Sequence, residues 1–417
     1  MLGAVALGET HITGLLEGED VLCTADAMRA MGAEVTRKDD GAWVVHGMGV
    51  GGLLAPDRNL EMGNSGTAAR LLMGLVAGHN FKATFSGDES LSSRPMGRVT
   101  TPLSQVGAVF DASEGGRLPL TETGAQDPMP ITYELPVASA QVKSAVMLAG
   151  LNAPGETVVI EPKPTRDHTE KMLTHFGGEV MVEELEGGAR RITLKGRPEL
   201  LGRDVIVPAD ISSAAFPMAA ACMVEGSDVT VTNVGLNPLR AGVIETLKDF
   251  GANIEILDQR VEAGETVGDV RVKYTQLNGC TVPASRAPAQ IDEYPVLFAV
   301  AATAHGETRF EGLEELRVKE SDRLAVMAEG LKACGVVLEE GKDWLTIQGV
   351  GGTDTQVPGG AGVASRLDHR IAMSFLVLGL VTEAPITVDD ASPIDTSFPG
   401  FRTLMESLGA MFSEGKV

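Results

Sequence analysis

The segment KMLTHFGGEV, residues 171–180, closes an amphipathic stretch on glycine and turns at once to β-type sequence. Glycine suits that junction because it enters the left-handed region without a Cβ clash. Five other segments end alike: MGAEV at 31–35, VGAVF at 106–110, FGANI at 250–254, CGVVL at 334–338 and LGAMF at 408–412. Upstream of the endings lies a second shared piece, an apolar helix, a short turn and an alternating strand. It is visible in AVMLAGLNAPGETVVIEP (145–162), AAACMVEGSDVTVTNV (219–234) and AVAATAHGETRFEGL (299–313). A further strand often follows, as in AWVVHG (42–47), RRITLKG (190–196) and WLTIQG (344–349). The repeat is about 70 residues long, too long and too mixed for a solenoid.

Units of strand–helix–strand–helix–strand–strand order should pack sheets around buried helices, an α/β (α+β) fold. The apolar helices carry little charge around their circumference, which predicts full burial. A boundary near VIVPADISS (205–213) divides the chain into an expected first domain, 1–207, and a second, 208–417, each of three βαβαββ units. The first unit has only MLGAVALG before its turn, so it is expected to be incomplete, lacking roughly two helical turns relative to its siblings.

Bulk properties narrow the function. A net charge of −23 argues against nucleic acid or an anionic membrane as partner, and 4% aromatics leaves little for base stacking. Cys23, Cys222, Cys280 and Cys334 are widely separated, which reads as free thiols in a reducing, cytoplasmic setting. The seven histidines show no metal-ligand spacing; His168 and His175 lie seven apart in an amphipathic stretch. No apolar run reaches membrane-spanning length.

The later apolar helices have polar starts, at Asn64–Ser65, Ser139, Asp210–Ser213, Asp292 and Asp368. These are N-cap residues or their neighbours. The second helices are expected to open with cations: Arg94, Arg166, Arg240 and Lys319. First turns ordinarily favour acids, so cations there point toward anion binding. Packing that brings several starts together would make an anion pocket despite the acidic total. The run LRVKESDRL (316–324) reads on a helix as Lys319, Glu320 and Arg323 sharing a face, either a solvated ion-paired surface or an anion site with an acid attached. Asn64–Ser65–Gly66–Thr67 allows close backbone approach to a ligand but lacks the Gly-Lys-Ser/Thr ending of a nucleotide phosphate loop.

In order along the chain stand GNSGTAARL (63–71), SRPMGR (93–98), ASAQVKSA (138–145), TRDHTEKML (165–173), IDEYP (291–295), LRVKESDRL (316–324) and LDHRIAM (367–373). Together they resemble the 5-enolpyruvylshikimate-3-phosphate (EPSP) synthase family, the 3-phosphoshikimate 1-carboxyvinyltransferases, in its bacterial class II form. The resemblance implies two domains of three βαβαββ units and transfer of the enolpyruvyl group of phosphoenolpyruvate to the 5-hydroxyl of shikimate 3-phosphate. It implies no metal and no organic cofactor. Ser139, Ala140, Gln141, Arg166, Asp292 and Lys319 would meet shikimate 3-phosphate, with Ala140 standing where relatives often have a second Ser. Asn64, Gly66, Thr67, Arg94, Gln141, Arg323, His369 and Arg370 would meet phosphoenolpyruvate. Asp292 is the implied base, Glu320 the acid at C3, and Lys319 a charge stabiliser; Asp20 is a further candidate for organising the cleft. With Gly66 rather than Ala, a complete site is expected to admit glyphosate.

The family's Lys-Ser-x-Ser-His-Arg segment, which normally precedes the part matching MLGAVALGET, is missing, so residues 1–417 are expected to bind weakly and turn over poorly. Small anionic metabolites are the expected partners and a monomer the expected state. One rival is the sister enzyme acting on a UDP-linked aminosugar, which usually carries a Cys in the loop matching SLSSRPMGR; none is there. The other is a non-catalytic binding protein of the same fold.

Overall fold

The structure, a computed structural model, describes residues 1–351 and 356–414. They form two compact units: Met1–Val207 with Glu262–Glu265, and Pro208–Val261 with the described residues from Thr266 onward.

The glycine junctions organise both units. Gly32, Gly107, Gly177, Gly251, Gly335 and Gly409 all have φ between 85° and 116°. In all six the next residue's N–H returns to the carbonyl five positions back: Ala33 to Met28, Ala108 to Leu103, Gly178 to Leu173, Ala252 to Leu247, Val336 to Leu331 and Ala410 to Met405, at 2.7–3.2 Å. That bond satisfies a carbonyl the helix end would leave open and reverses the chain. A strand restarts after five of these turns. After Gly409 none does, because residues 410–414 run as coil.

In the first unit the repeats build three four-stranded sheets with one topology. In the second repeat Leu60–Glu61 runs parallel to Lys82–Ser86, which pairs antiparallel with Arg117–Thr123, itself antiparallel to Val109–Ser113. Thr132–Glu134, Glu156–Glu161, Arg190–Lys195 and Val180–Glu184 repeat the order. The first repeat's sheet is completed by the distant Val205–Ile206, parallel to Leu7–Thr13. In the second unit Thr281–Val282, His305–Glu311, Trp344–Val350 and Val337–Glu340 repeat the order again. The fourth repeat has a three-stranded sheet, and the described strands of the sixth form two short pairs.

The apolar helices are buried as expected. In Ile211–Met223 every residue but Ser213 is buried, and in Tyr294–Thr303 every residue but Thr303. The first repeat has in this place the 3-10 helix Leu2–Val5, with Gly3, Ala4 and Val5 buried. In the first unit Gly66–Ala77 packs against Ala140–Gly150 so closely that a Cβ on Gly74 would lie 2.3 Å from the Ala145 carbonyl oxygen. The absence of a side chain at Gly74 lets the two helix starts come together.

The second helices start later than the sequence suggested. They run Gly97–Val106, His168–His175, Gly242–Asp249 and Arg323–Ala333, so Arg94, Arg166, Arg240 and Lys319 lie in the preceding turns. LRVKESDRL is likewise not one helix. The 3-10 turn Glu314–Val318 ends before Lys319, and Asp322 caps the new helix by accepting from Ala325 N. A short acceptor at Asp322 satisfies an open helix N–H, and that local bond breaks the run.

Candidate active site

In the first unit the site begins at two adjacent helix starts. Ser65 caps Gly66–Ala77 by accepting from Ala68 N, and Ser139 caps Ala140–Gly150 by accepting from Val142 N. Gln141 bridges them: its Nε2 donates to Thr67 Oγ1 at 2.8 Å and its Oε1 accepts from Arg70 Nη1 at 3.2 Å. Arg70 also donates to the Gly66 carbonyl at 3.0 Å. Arg94 donates to Asn64 Oδ1 at 2.8 Å and to Ser90 Oγ at 3.0 Å, and Asn64 Nδ2 is held by Asp88 at 2.7 Å. These bonds of Arg70 and Arg94 end on neutral oxygens, so neither charge is cancelled by them. Burial, then the charges of Arg94 and Arg98, push the Arg70 guanidinium below its ordinary pKa. A cationic, donor-rich surface at two helix N-termini suits a carboxylate or phosphate.

Arg166 is half-buried in the turn before His168–His175. The residue ahead of it, Thr165, is anchored to Glu161, which accepts from its backbone N at 3.2 Å and its hydroxyl at 2.6 Å. Asp20 is exposed on the helix Glu19–Ala30, where it accepts from the Val21 N–H. Asp167, His168 and Glu265 place ligand-type atoms within 4.8 Å of one another, a grouping the histidine spacing did not suggest. The Lys171 ammonium stands 3.0 Å from Asp167 and 3.2 Å from Glu265, so a protein cation already compensates those carboxylates.

In the second unit the charged residues converge on Asp292, which lies two residues ahead of the helix Tyr294–Thr303 and does not cap it. Its Oδ1 is 3.2 Å from Arg323 Nη1 and 3.7 Å from Lys319 Nζ; its Oδ2 is 3.9 Å from Arg240 Nη2. Arg370 donates to its backbone carbonyl at 3.1 Å. Beside it the buried Glu293 accepts from Arg240 at 3.0 Å and from Ser212, and Arg370 lies 3.7 Å away. Arg240 also donates to Ser212 Oγ. Lys319 has a second partner in Glu315 at 2.8 Å.

Arg323 sits at the centre of this set. It is fully buried, and its guanidinium meets Asp368 at 2.8 Å, Glu320 at 2.6 Å and Asp292. Burial would lower its pKa, but Asp368, Glu320 and Asp292 together raise it. Glu320 remains exposed. Asp368 caps His369–Leu378 through Arg370 N and also accepts from Ser321 Oγ at 3.0 Å. Burial tends to raise the Asp368 carboxyl, yet Arg323 and the Arg370 N–H hold it below the usual aspartate value. Arg366 and Leu367, just before it, both have left-handed φ, 54° and 59°. Two such residues in succession are strained, and they aim the helix start at Arg323. Burial, then Arg370, pushes His369 down to about 4, which keeps the imidazole neutral at pH 7.

The EPSP synthase (3-phosphoshikimate 1-carboxyvinyltransferase) family model matches residues 1–405. The chain belongs to the EPSP synthase family. The 3-phosphoshikimate 1-carboxyvinyltransferase of Paramagnetospirillum magneticum is 61% identical over 99% of this chain and 92% of its own length. That of Parvibaculum lavamentivorans is 60% identical over 99% and 91%. The solved EPSP synthase of Acinetobacter baumannii superposes with a TM-score of 0.92 at 46% identity, covering 99% of this chain and 92% of its own. The enolpyruvyl transferase NikO of Streptomyces tendae, at 18% identity and a TM-score of 0.72, shares the fold.

Against the EPSP synthase motifs, the structure joins Asn64, Thr67, Arg94 and Gln141 in one set of contacts and Asp292, Lys319, Glu320, Arg323 and Arg370 in another. It adds residues the motif reading left unassigned. Arg70 was inside the quoted GNSGTAARL, one turn past Gly66, and i to i+4 spacing could have flagged it. Glu293 was inside IDEYP and Lys143 inside ASAQVKSA. Only packing shows Arg240 and Ser212 bonded to Glu293.

Proposed function

We propose that the chain transfers the enolpyruvyl group of phosphoenolpyruvate to the 5-hydroxyl of shikimate 3-phosphate and releases inorganic phosphate. The observation that carries this is the family match along residues 1–405. In the addition step the substrate O5 bonds to C2 of phosphoenolpyruvate while C3 takes up a proton. In the elimination step the C2–O bond to phosphate breaks and C3 gives up a proton, restoring the double bond in the enol ether. The hydroxyl proton is balanced by the protonation of the departing phosphate.

Asp292 acts as base toward the 5-hydroxyl. Its carboxylate is held by Lys319 at 3.7 Å and Arg323 at 3.2 Å, which fixes its direction. Glu320 delivers the proton to C3 and Lys319 stabilises the developing charge. Ser139, Gln141 and Arg166 hold shikimate 3-phosphate, with Ala140 contributing backbone only. Arg94, Arg323 and Arg370 clamp the carboxylate and phosphate of phosphoenolpyruvate, with Asn64, Gly66, Thr67, Gln141 and neutral His369 alongside. Arg70 supports that anion, and the buried Arg323 orients Asp292 and Glu320. Cytoplasmic residence and a monomeric state belong to the same proposal. Four free cysteines support the first, and among the described residues no helix is long and apolar enough to cross a membrane.

The experiment is phosphate release from shikimate 3-phosphate plus phosphoenolpyruvate, with a UDP-linked aminosugar as control acceptor. Release with the first acceptor alone is expected. Asp292→Asn should lower kcat by about a hundredfold or more while Tm changes little. Release with the control acceptor alone would reject the proposal.

A further inference from the structure

One fully buried charge has no part in the chemistry above. Lys143 stands four residues after Ser139 on Ala140–Gly150 and has no exposed surface. Its ammonium is 3.1 Å from Glu161 Oε2 and 2.7 Å from Glu170 Oε1, carboxylates only 1% and 6% exposed. A buried cluster of this kind is a poor source of stability, because desolvation offsets most of the attraction and apolar residues would serve as well. Its geometry points to a different use.

The cluster grips the residue ahead of Arg166. Glu161 Oε2 takes both the Thr165 N–H at 3.2 Å and the Thr165 hydroxyl at 2.6 Å, and Lys143 Nζ donates to the Thr165 carbonyl at 3.4 Å. Both ends of Thr165 are therefore held, which sets the direction in which the chain enters Arg166. The other side of the turn is tied to the same helix, since Ser144 Oγ and Thr169 Oγ1 lie 2.7 Å apart. Residues 162–167 lie between the strand Glu156–Glu161 and the helix His168–His175, outside either element. Lys143 is rigidly offset from Ser139 by one helical turn, about 6 Å of rise. The cluster thus spaces the Arg166 turn from the helix start that carries Ser139 and Gln141.

We infer that Lys143, Glu161 and Thr165 are positioning residues that hold Arg166 in register with Ser139 and Gln141 for the 3-phosphoshikimate ligand. The inference rests on the assignment of Arg166, Ser139 and Gln141 to that substrate.

The test is calorimetric titration of the full chain with shikimate 3-phosphate, together with KM for phosphoenolpyruvate from phosphate release. Thr165→Val removes the hydroxyl and leaves the ion cluster and side-chain shape in place, so folding is preserved. It should weaken shikimate 3-phosphate binding about five- to tenfold, as expected for one lost bond to a carboxylate. The KM for phosphoenolpyruvate should stay within about twofold, and Thr165→Ser should restore binding to a similar margin. Lys143→Met should weaken the same ligand further and lower Tm as well. Arg166→Gln separates the two layers of the argument. If it weakens binding about tenfold or more while Thr165→Val does not, the positioning inference is overturned and the assignment stands. If Arg166→Gln binds like the wild type, the assignment falls and the inference with it. Equal weakening toward both substrates in Thr165→Val would mean general loosening and would also overturn the inference.

Discussion

Arg323 Nε donates to Asp368 Oδ2 at 2.8 Å, and neither side chain is exposed to solvent. The pair joins the start of Arg323–Ala333 to the start of His369–Leu378, two repeats' helices that the chain separates by 45 positions. It holds Asp292 and Glu320 through the same guanidinium.

Breaking that pair should unfold the second unit before it alters chemistry. Removing one partner of a buried ion pair leaves the other uncompensated and costs about 3–5 kcal/mol. Arg323→Met is expected to lower Tm strongly, with Arg323→Met/Asp368→Leu recovering part of the loss. Denaturant unfolding of the single and double variants checks this. The Asp368 carboxyl is lower in the folded state than its ordinary 3.8. Its stabilisation is therefore complete above that value and is lost as pH falls through the lowered folded pKa.

His369 works in the same direction over a higher range. Its folded pKa of about 4 lies below the ordinary 6.5, so the unfolded chain binds this proton first. Stability should fall as pH drops from about 6.5 to about 4, by up to about 3 kcal/mol. His369→Gln should flatten that slope in pH-dependent urea titrations. An unchanged slope would mean that another group is responsible.

Gly66→Ala should alter affinity more than stability. The new Cβ would stand 2.6 Å from Arg70 Nη1 and 3.4 Å from Arg94 Nη1, the ends of flexible side chains that can shift. Shifting Arg70 breaks its bond to Gln141. The KM for phosphoenolpyruvate should rise about three- to tenfold, with binding of shikimate 3-phosphate nearly constant. Steady-state kinetics with each substrate varied would check it, and glyphosate inhibition should weaken in parallel.

Gly74→Ala should do the reverse. Its Cβ would meet the Ala145 carbonyl oxygen at 2.3 Å, and backbone cannot step aside as a side chain can. Overpacking of this kind costs about 1–3 kcal/mol. A unit of this size should lose about 2–4 °C of Tm per kcal/mol. Differential scanning calorimetry would show it. Because Thr67 and Gln141 sit at the starts of the two separated helices, phosphoenolpyruvate affinity should weaken as well.

Much of this protein is written locally. The six glycine junctions, the buried character of the apolar helices and four of the side-chain caps, Ser65, Ser139, Asp210 and Asp368, depend on residues within one or two helical turns of each other. Short-range hydrogen bonding and burial decide such features, so the pattern of residue types is enough to read them. The same holds for the motifs that mark the EPSP synthase family.

Tertiary structure decided the rest. Nothing in LRVKESDRL announces that Asp322 stops one turn and starts the next, or that Arg323 ends up buried against Asp368. The bridge from Gln141 to Thr67 and the seat of Glu293 between Arg240 and Ser212 likewise join positions far apart in the chain. An ionisable side chain takes its role from the charges and solvent around it. Those are assembled only when separate repeats pack, so the order of residues names the candidates and the folded neighbourhood assigns their work.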